Sequence, residues 1–354
     1  MSRLKKLNII LAAVNAALLI AAGLFTAHTA SLKREYMADS AKQAWDGGKY
    51  SYSQISLFFQ KESSQDILGI YSLRRSVEEK LKEGSLTKAE DNPSGRLWID
   101  CAGGEGLLSL SGSLGGCTAA VTGTFGDYFI FHPEKLMSGS YYTNDDINID
   151  RIILDRECSW QLFGSMDTVG MPVNIGNKVF YVAGVVESPD KESDRLAYGI
   201  TPRAYMPFES LKAFDDSVLL NSYEVCLPNA VKDYAFTMMK ELNPAGDSGI
   251  IVDQSGRFDI VRLVKGVSEL PESVMMNSGI RLPWYENRIR GAELSARLSA
   301  APVPYLLIIP ALSLVYALFM LTKLMGKGIR AVRDKAEDRY QKKISEIYFK
   351  KHEK

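Results

Sequence analysis

The sequence predicts an α+β domain held between two membrane-spanning helices. Three observations lead there. Leu7–Ala27 and Ala301–Thr322 are uncharged and apolar, and each reaches the roughly 20 residues that a helix needs to cross about 30 Å of hydrocarbon. The segment between them contains short strand-like runs separated by Gly-rich turns. Strand–helix–strand patterns stand at both ends of that segment. A net charge of zero with 46% hydrophobic and 24% charged residues is the balance of a folded domain rather than a disordered chain.

The first apolar stretch carries ten strong apolar residues against Asn8 and Asn15, so its insertion is favourable. A cleaved leader is the alternative, because Arg3, Lys5 and Lys6 form a basic start. The run is longer than the roughly 7–15 apolar residues of a leader, and cleavage after Ala27 or Ala30 would put Phe25 or His28 where a small residue is needed. Residues 1–28 are therefore read as a cytoplasmic tip and first membrane helix. Lys323, Lys327, Arg330 and Arg333 follow the second stretch, the basic excess of a cytoplasmic flank. Both termini are expected inside the cell membrane, with residues 29–300 extracytoplasmic, 301–325 as the second membrane helix and 326–354 as a cytoplasmic tail.

Within the outer segment, Ser31–Trp45 continues the first helix outward. Ser51–Phe59 reads as a strand, and Asp66–Glu83 as a helix with Leu73, Val77 and Leu81 on one face. Asn92-Pro93-Ser94-Gly95 breaks the chain. Leu97–Cys101, Leu107–Leu114 and Cys117–Phe125 are strand-like, with Gly103–Gly106 and Gly112–Gly116 expected as hairpin turns. Neither Gly-rich run has the lysine of a phosphate-binding loop. Ile152–Leu154 is a buried strand and Arg156–Phe163 a short helix stopped by Gly164. Val173–Ile175 and Val179–Val182 flank Gly176-Asn177 as a hairpin. Tyr223–Leu227 is a further strand, and Asn229 is expected to cap a helix with Val231, Ala235, Met238 and Leu242 on one face. Ile250–Val252 makes one more strand, and Phe258–Ala300 is largely helical.

Little of this pattern carries chemistry. Of three histidines only His132 lies in the outer segment, with no nucleophile motif beside it. Asp145-Asp146 and Asp253/Asp259 read as solvated turns rather than acid–base pairs. No enzyme activity, cofactor or metal is expected, since no CxxC or HxxH spacing exists. The absence of a basic surplus argues against nucleic acid as a partner. Cys101, Cys117, Cys158 and Cys226 allow three pairings. Cys101 and Cys117, on neighbouring strand-like runs, are the candidate disulfide, and all four also suit buried apolar positions.

Residues 121–208 hold several elements in a fixed order. Gly123-Thr124-Phe125 and Tyr128-Phe129 precede Gly139-Ser140-Tyr141-Tyr142. Then come Leu162-Phe163-Gly164, Val169-Gly170, the Val173–Ile175 strand, Val182-Ala183-Gly184-Val185-Val186 and Tyr205-Met206-Pro207-Phe208. This series resembles the extracytoplasmic core domain of MacB-type ABC transporter permeases, the group that includes lipoprotein-release permeases and FtsX-like proteins. Collinearity extends over roughly 30–260. The resemblance implies an α/β subdomain from 31–135 and 211–262, an inserted strand-rich subdomain at 136–210, and a helical stalk at 263–300. It departs from the family where Ser140 replaces an arginine, where one membrane helix rather than three follows the domain, and in having no ATP-binding motif.

What the resemblance implies is therefore a half-permease or accessory subunit. Its expected partners are a separate ABC ATPase and further permease-like chains in the lipid bilayer, with a homo-oligomer as a further arrangement. Tyr141, Tyr142, Tyr205 and Phe208 are the candidate partner or substrate contacts. Pro304 and Pro310 are candidate hinge residues in the second membrane helix. After Met325, Ile329, Val332, Ala336, Tyr340, Ile344 and Ile347 share one helical face, with eleven basic and five acidic residues over 323–354. Such a face suits the inner leaflet or a cytoplasmic ATPase. The competing function is an anchored sensor or scaffold that binds a peptide, lipoprotein or cell-wall component.

Overall fold

The computed structural model describes residues 3–45, 50–88, 95–143, 149–269 and 279–352. It divides into two compact units, one made of residues 1–28 and 299–354 and the other of Thr29–Leu298. Asp145 and Asp146 lie outside the described residues.

Among the described residues, two helices are long and apolar enough to cross a membrane. The first belongs to α1 (Arg3–Tyr36) and the second to the 50-residue helix Val303–His352. Their apolar side chains point outward: Leu7, Ile10, Ile20 and Leu24 on one, and Leu312, Leu314, Val315 and Leu318 on the other, are each more than half exposed. Leaving such surface in water costs about 25 cal/mol per Å², a cost that hydrocarbon removes. Asn15, which counts against insertion by itself, accepts a hydrogen bond at 3.3 Å from Ser313 Oγ. Pro304 sits in the first turn of its helix, where a missing N–H is harmless, whereas Pro310 is interior.

The larger unit is built on a ten-stranded sheet. Its strands are β1 (Tyr52–Phe58), β2 (Ile99–Ser111), β3 (Gly116–Gly126), β4 (Leu136–Gly139), β5 (Arg151–Asp155), β6 (Pro172–Ile175), β7 (Lys178–Val186), β8 (Arg203–Pro207), β9 (Ser222–Pro228) and β10 (Ile250–Asp253). The order is β10-β1-β9-β2-β3-β8-β5-β7-β4, with β6 joined to β2 and β7. β3–β8 and β5–β7 are parallel and the other pairs antiparallel. The class is α+β. The strands of 136–210, read from sequence as an inserted subdomain, continue the sheet of the flanking segments through the β3–β8 pairing.

Helices cover both faces. On one lie α3 (Ile67–Glu83), α5 (Arg156–Phe163), α7 (Phe208–Lys212) and α8 (Tyr234–Leu242), over a core that includes Ile55, Leu57, Val121, Ile152, Val225 and Leu227. On the other lie α2 (Ser40–Ala44), α4 (Tyr128–Phe131), α6 (Glu192–Tyr198) and the helix Trp284–Ala300, over Tyr52, Phe58, Ile99, Tyr205 and Cys226. Local chemistry sets the short elements. Asp66 and Asp155 cap α3 and α5 by accepting from Gly69 N and Cys158 N, and Gly164 stops α5 at φ 65°.

Three expectations are corrected. Gly103–Gly106 is not a turn but the middle of β2, because Gly112–Gly116 alone closes the β2–β3 hairpin. The glycines there serve packing: a Cβ on Gly104 would stand 2.5 Å from the Leu219 carbonyl, and one on Gly123 would stand 2.9 Å from Leu211. α7 sits in the flat groove they leave. The chain after β9 does not turn helical at Asn229; α8 begins after Asp233, which is left-handed at φ 61°, and Val231 is exposed. Asn229 instead holds the loop by accepting from Ala235 N. The outward run of α1 also ends early, where Met37 adopts φ 41° before α2.

Candidate functional site

Strand alternation places a polar row inside the second core. On β1 the even-numbered side chains face away from α3, so Gln54 and Ser56 stand between Tyr52 and Phe58. On β9 the same face carries Ser222, Glu224 and Cys226. The register sets Ser56 opposite Glu224, and Glu224 opposite Cys101 of β2. All of these side chains are buried.

Glu224 is the centre of the row. His132, the residue after α4, brings Nε2 to 2.6 Å from Glu224 Oε1, and its ring lies 3.8 Å from that of Tyr285. Ser56 Oγ donates to Glu224 Oε2 at 2.5 Å, and Gln54 Nε2 at 3.4 Å. Gln254 Nε2 then links Ser56 Oγ, at 3.1 Å, to Glu286 Oε2, at 3.2 Å. Arg257 grips Glu286 through both terminal nitrogens at 2.9 Å and Glu293 through Nε at 2.6 Å. Arg290 and Arg297 complete the ion pairs on Glu286 and Glu293. A continuous buried chain of polar groups thus fastens the helix Trp284–Ala300 to β1 and β9.

The end of α1 is held beside it. Tyr36 OH donates to Asp194 Oδ1 at 3.0 Å, and Lys191 pairs with Glu35. Arg288 lies 3.5 Å from Asp194 Oδ2, with its guanidinium 5.1 Å from the Tyr36 ring centre. A cavity of about 250 Å³ opens between these groups, lined among others by Tyr36, His132, Glu134, Asp194, Glu224 and Arg288. Burial pushes the Glu134 carboxyl above its ordinary value.

Cys101, His132 and Glu224 are the group among the described residues whose donor atoms converge within 4.8 Å, a sulfur–imidazole–carboxylate set that zinc accepts. Burial and the nearby Glu224 charge raise the Cys101 thiol well above its ordinary value. Glu224, for its part, already accepts from His132, Ser56 and Gln54. As it stands the cluster is a hydrogen-bonded His132–Glu224 pair with a protonated thiol beside it.

Burial raises the Glu224 carboxyl, but the His132 charge and the hydrogen bonds from His132, Ser56 and Gln54 outweigh it and hold the group below its ordinary 4.5. A depressed carboxyl stabilises the fold above the unfolded value and loses that contribution as pH falls through the folded one. The stability gap between wild type and Glu224→Gln should therefore be full at neutral pH and shrink below about pH 4.5. Thermal melts of both proteins across this range check it; a gap independent of pH would show that the carboxylate charge contributes nothing.

The residues singled out from sequence fall elsewhere. Tyr142, Tyr205 and Phe208 are buried, so they pack the cores rather than offer a surface. Tyr142 OH shares a hydrogen bond with Thr124 Oγ1 at 2.8 Å, and Tyr205 OH donates to Glu134 Oε1 at 3.3 Å. Tyr141 is half-buried, stacked on Phe129 at 4.4 Å and bonded to the Glu134 carbonyl. The Cys101–Cys117 bridge is corrected: Cys101 stands opposite Gly126 and Cys117 opposite Leu110, nine residues along β2. At about 3.3 Å per residue that is ~30 Å, far beyond a disulfide. The buried row had one trace in the sequence, a glutamate inside an otherwise apolar strand at Tyr223–Leu227.

No family model matches the chain, and no curated protein matches it. Solved structures similar to it include the periplasmic region of MacB from Actinobacillus actinomycetemcomitans, at 16% identity over 59% of this chain and 92% of that one, with a TM-score of 0.40. The extracellular domain of the noncanonic ABC-type transporter YknZ from Gram-positive bacteria is similar at 16% identity over 56% of this chain and 100% of that one, with a TM-score of 0.38.

Proposed function

We propose that the chain is a permease-like subunit of a MacB/FtsX-type ABC transport system. Its outer unit would move with its membrane helices to expel or release a substrate already outside the membrane. The supporting observation is the buried polar chain. The residues that continue α1 outward are fastened to the helix Glu192–Tyr198 through Tyr36–Asp194, and the helix that precedes Val303–His352 is fastened to β1 through Glu286, Gln254 and Ser56. A fastening of that kind passes force and does not absorb it. The ATP-driven motion comes, in this reading, from a separate ATPase that the basic tail contacts on the cytoplasmic side. Pro310 is the proposed hinge, since an interior proline removes a backbone hydrogen bond, and Pro304 has no such effect.

Deleting residues 327–354 should abolish co-purification of an ABC ATPase from gently solubilised native membranes while membrane insertion persists. Mass spectrometry of the captured proteins reads the first, and reporters fused after Lys33 and after Lys327 read outside and inside. Undiminished ATPase recovery would remove the docking role. Recovery of neither an ATPase nor another permease-like chain by the intact protein would sink the transport reading.

A further inference from the structure

We propose that Cys117 and Cys158 form a reversible disulfide that joins the first turn of α5 to the start of β3. All four cysteines are free thiols in the structure. Yet the Cys117 and Cys158 sulfurs stand 3.4 Å apart, in direct contact, while Cys101 lies at the other end of the hairpin. Cys117 is the second residue of β3 and is half-buried; Cys158 is buried, fixed by its own N–H on Asp155 Oδ1 at 2.7 Å. Bond formation needs the sulfurs to approach by little more than 1 Å, to the roughly 2.05 Å of a disulfide.

The two thiols are unequal in the way that oxidation requires. A hydrogen bond from Cys158 lowers the pKa of Cys117, the more accessible thiol, whereas the same contact and burial raise that of Cys158. Cys117 is thus the attacking thiolate and Cys158 the resolving thiol. The oxidant is a disulfide, glutathione disulfide or the active disulfide of a thiol oxidase. The Cys117 thiolate attacks one oxidant sulfur, breaks its S–S bond and releases one thiolate, leaving a mixed disulfide on Cys117. Cys158 gives its proton to the released thiolate or to solvent and attacks Cys117 Sγ, which expels the second oxidant thiolate. Two protein thiols are oxidised and one oxidant disulfide is reduced to two thiols.

The bridge has a place in the fold. Cys117 belongs to the segment before residue 136 and Cys158 to the segment 136–210, and the strands of the two meet at β3–β8. A disulfide there turns a hydrogen-bonded seam into a covalent one, whatever the domain acts upon.

The test uses the full-length chain in detergent, reduced, freed of reductant and exposed to glutathione disulfide. Thiols are then blocked with N-ethylmaleimide after denaturation. Alkylation should fall from four groups to two. Chymotrypsin, which cleaves at Leu107, Leu110 and Leu114, separates Cys101 from Cys117 and should release a linked pair containing Cys117 and Cys158. The oxidised protein should melt at a higher temperature than the reduced one. The Cys101→Ser/Cys226→Ser variant should keep the linked pair and the higher melting temperature, with alkylation falling from two groups to none, and Cys117→Ser should lose the pair and the higher melting temperature. Four alkylated thiols after oxidation, glutathione adducts without a cross-link, or a linked pair containing Cys101 or Cys226 would each overturn the proposal.

Discussion

Replacing Glu286 by alanine is expected to destabilise the outer domain by about 3–5 kcal/mol, the usual cost of removing one partner of a buried ion pair. The reason is what remains. Glu286 is fully buried and receives three charged hydrogen bonds, two from Arg257 and one from Arg290. Without it Arg257, itself buried, keeps Glu293 on Nε and Gln254 Oε1 on Nη1, while Nη2 loses its partner. Denaturant melts of the full chain in detergent would read the loss. Replacing both ends by apolar residues of similar volume, as in Glu286→Leu with Arg257→Met, should recover much of it, because no buried charge is then stranded. A single alanine variant that melts within about 1 kcal/mol of wild type would mean that water reaches the pair and that the helix Trp284–Ala300 is not held through it.

Phe208→Ala should cost about 3–5 kcal/mol, the range for emptying a buried phenylalanine site. Phe208 is 1% exposed, and its ring fills the groove left by Gly104 and Gly123. Those glycines have no side chains with which to fill the space, so the cavity stays open. Tyr141→Ala, at a half-buried ring stacked on one neighbour, should cost clearly less. The same melts discriminate between roles: a Phe208→Ala protein with wild-type stability but weakened partner capture would restore Phe208 as a contact residue.

Features set by local chemistry were legible in the sequence. α5 stops at Gly164 as the residues require, and the Gly176 turn follows the same logic. What failed depended on residues far away in the chain. Period-two alternation in Tyr52–Phe58 puts Gln54 and Ser56 on one face, which by itself suggests solvent; the helix Trp284–Ala300 covers that face instead. Spacing likewise cannot separate a glycine that turns the chain from one that admits a neighbour, as Gly104 does for Leu219 and Phe208. The site was hidden for the same reason, since His132 and Glu224 are 92 residues apart and meet only through the β9 register.

The helix Val303–His352 runs without interruption from its apolar half into its basic half. At 1.5 Å per residue it is a rod of about 75 Å, and the apolar part accounts for about 30 Å of it. As an unbroken rod the helix keeps its basic half on the axis of its apolar half, with Ile329, Val332 and Tyr340 exposed along its side. Length also gives leverage: a tilt of about 10° at Pro310 swings the far end through roughly 10 Å. A small angular change in the apolar half therefore corresponds to a displacement of nearly a helix diameter at the basic end.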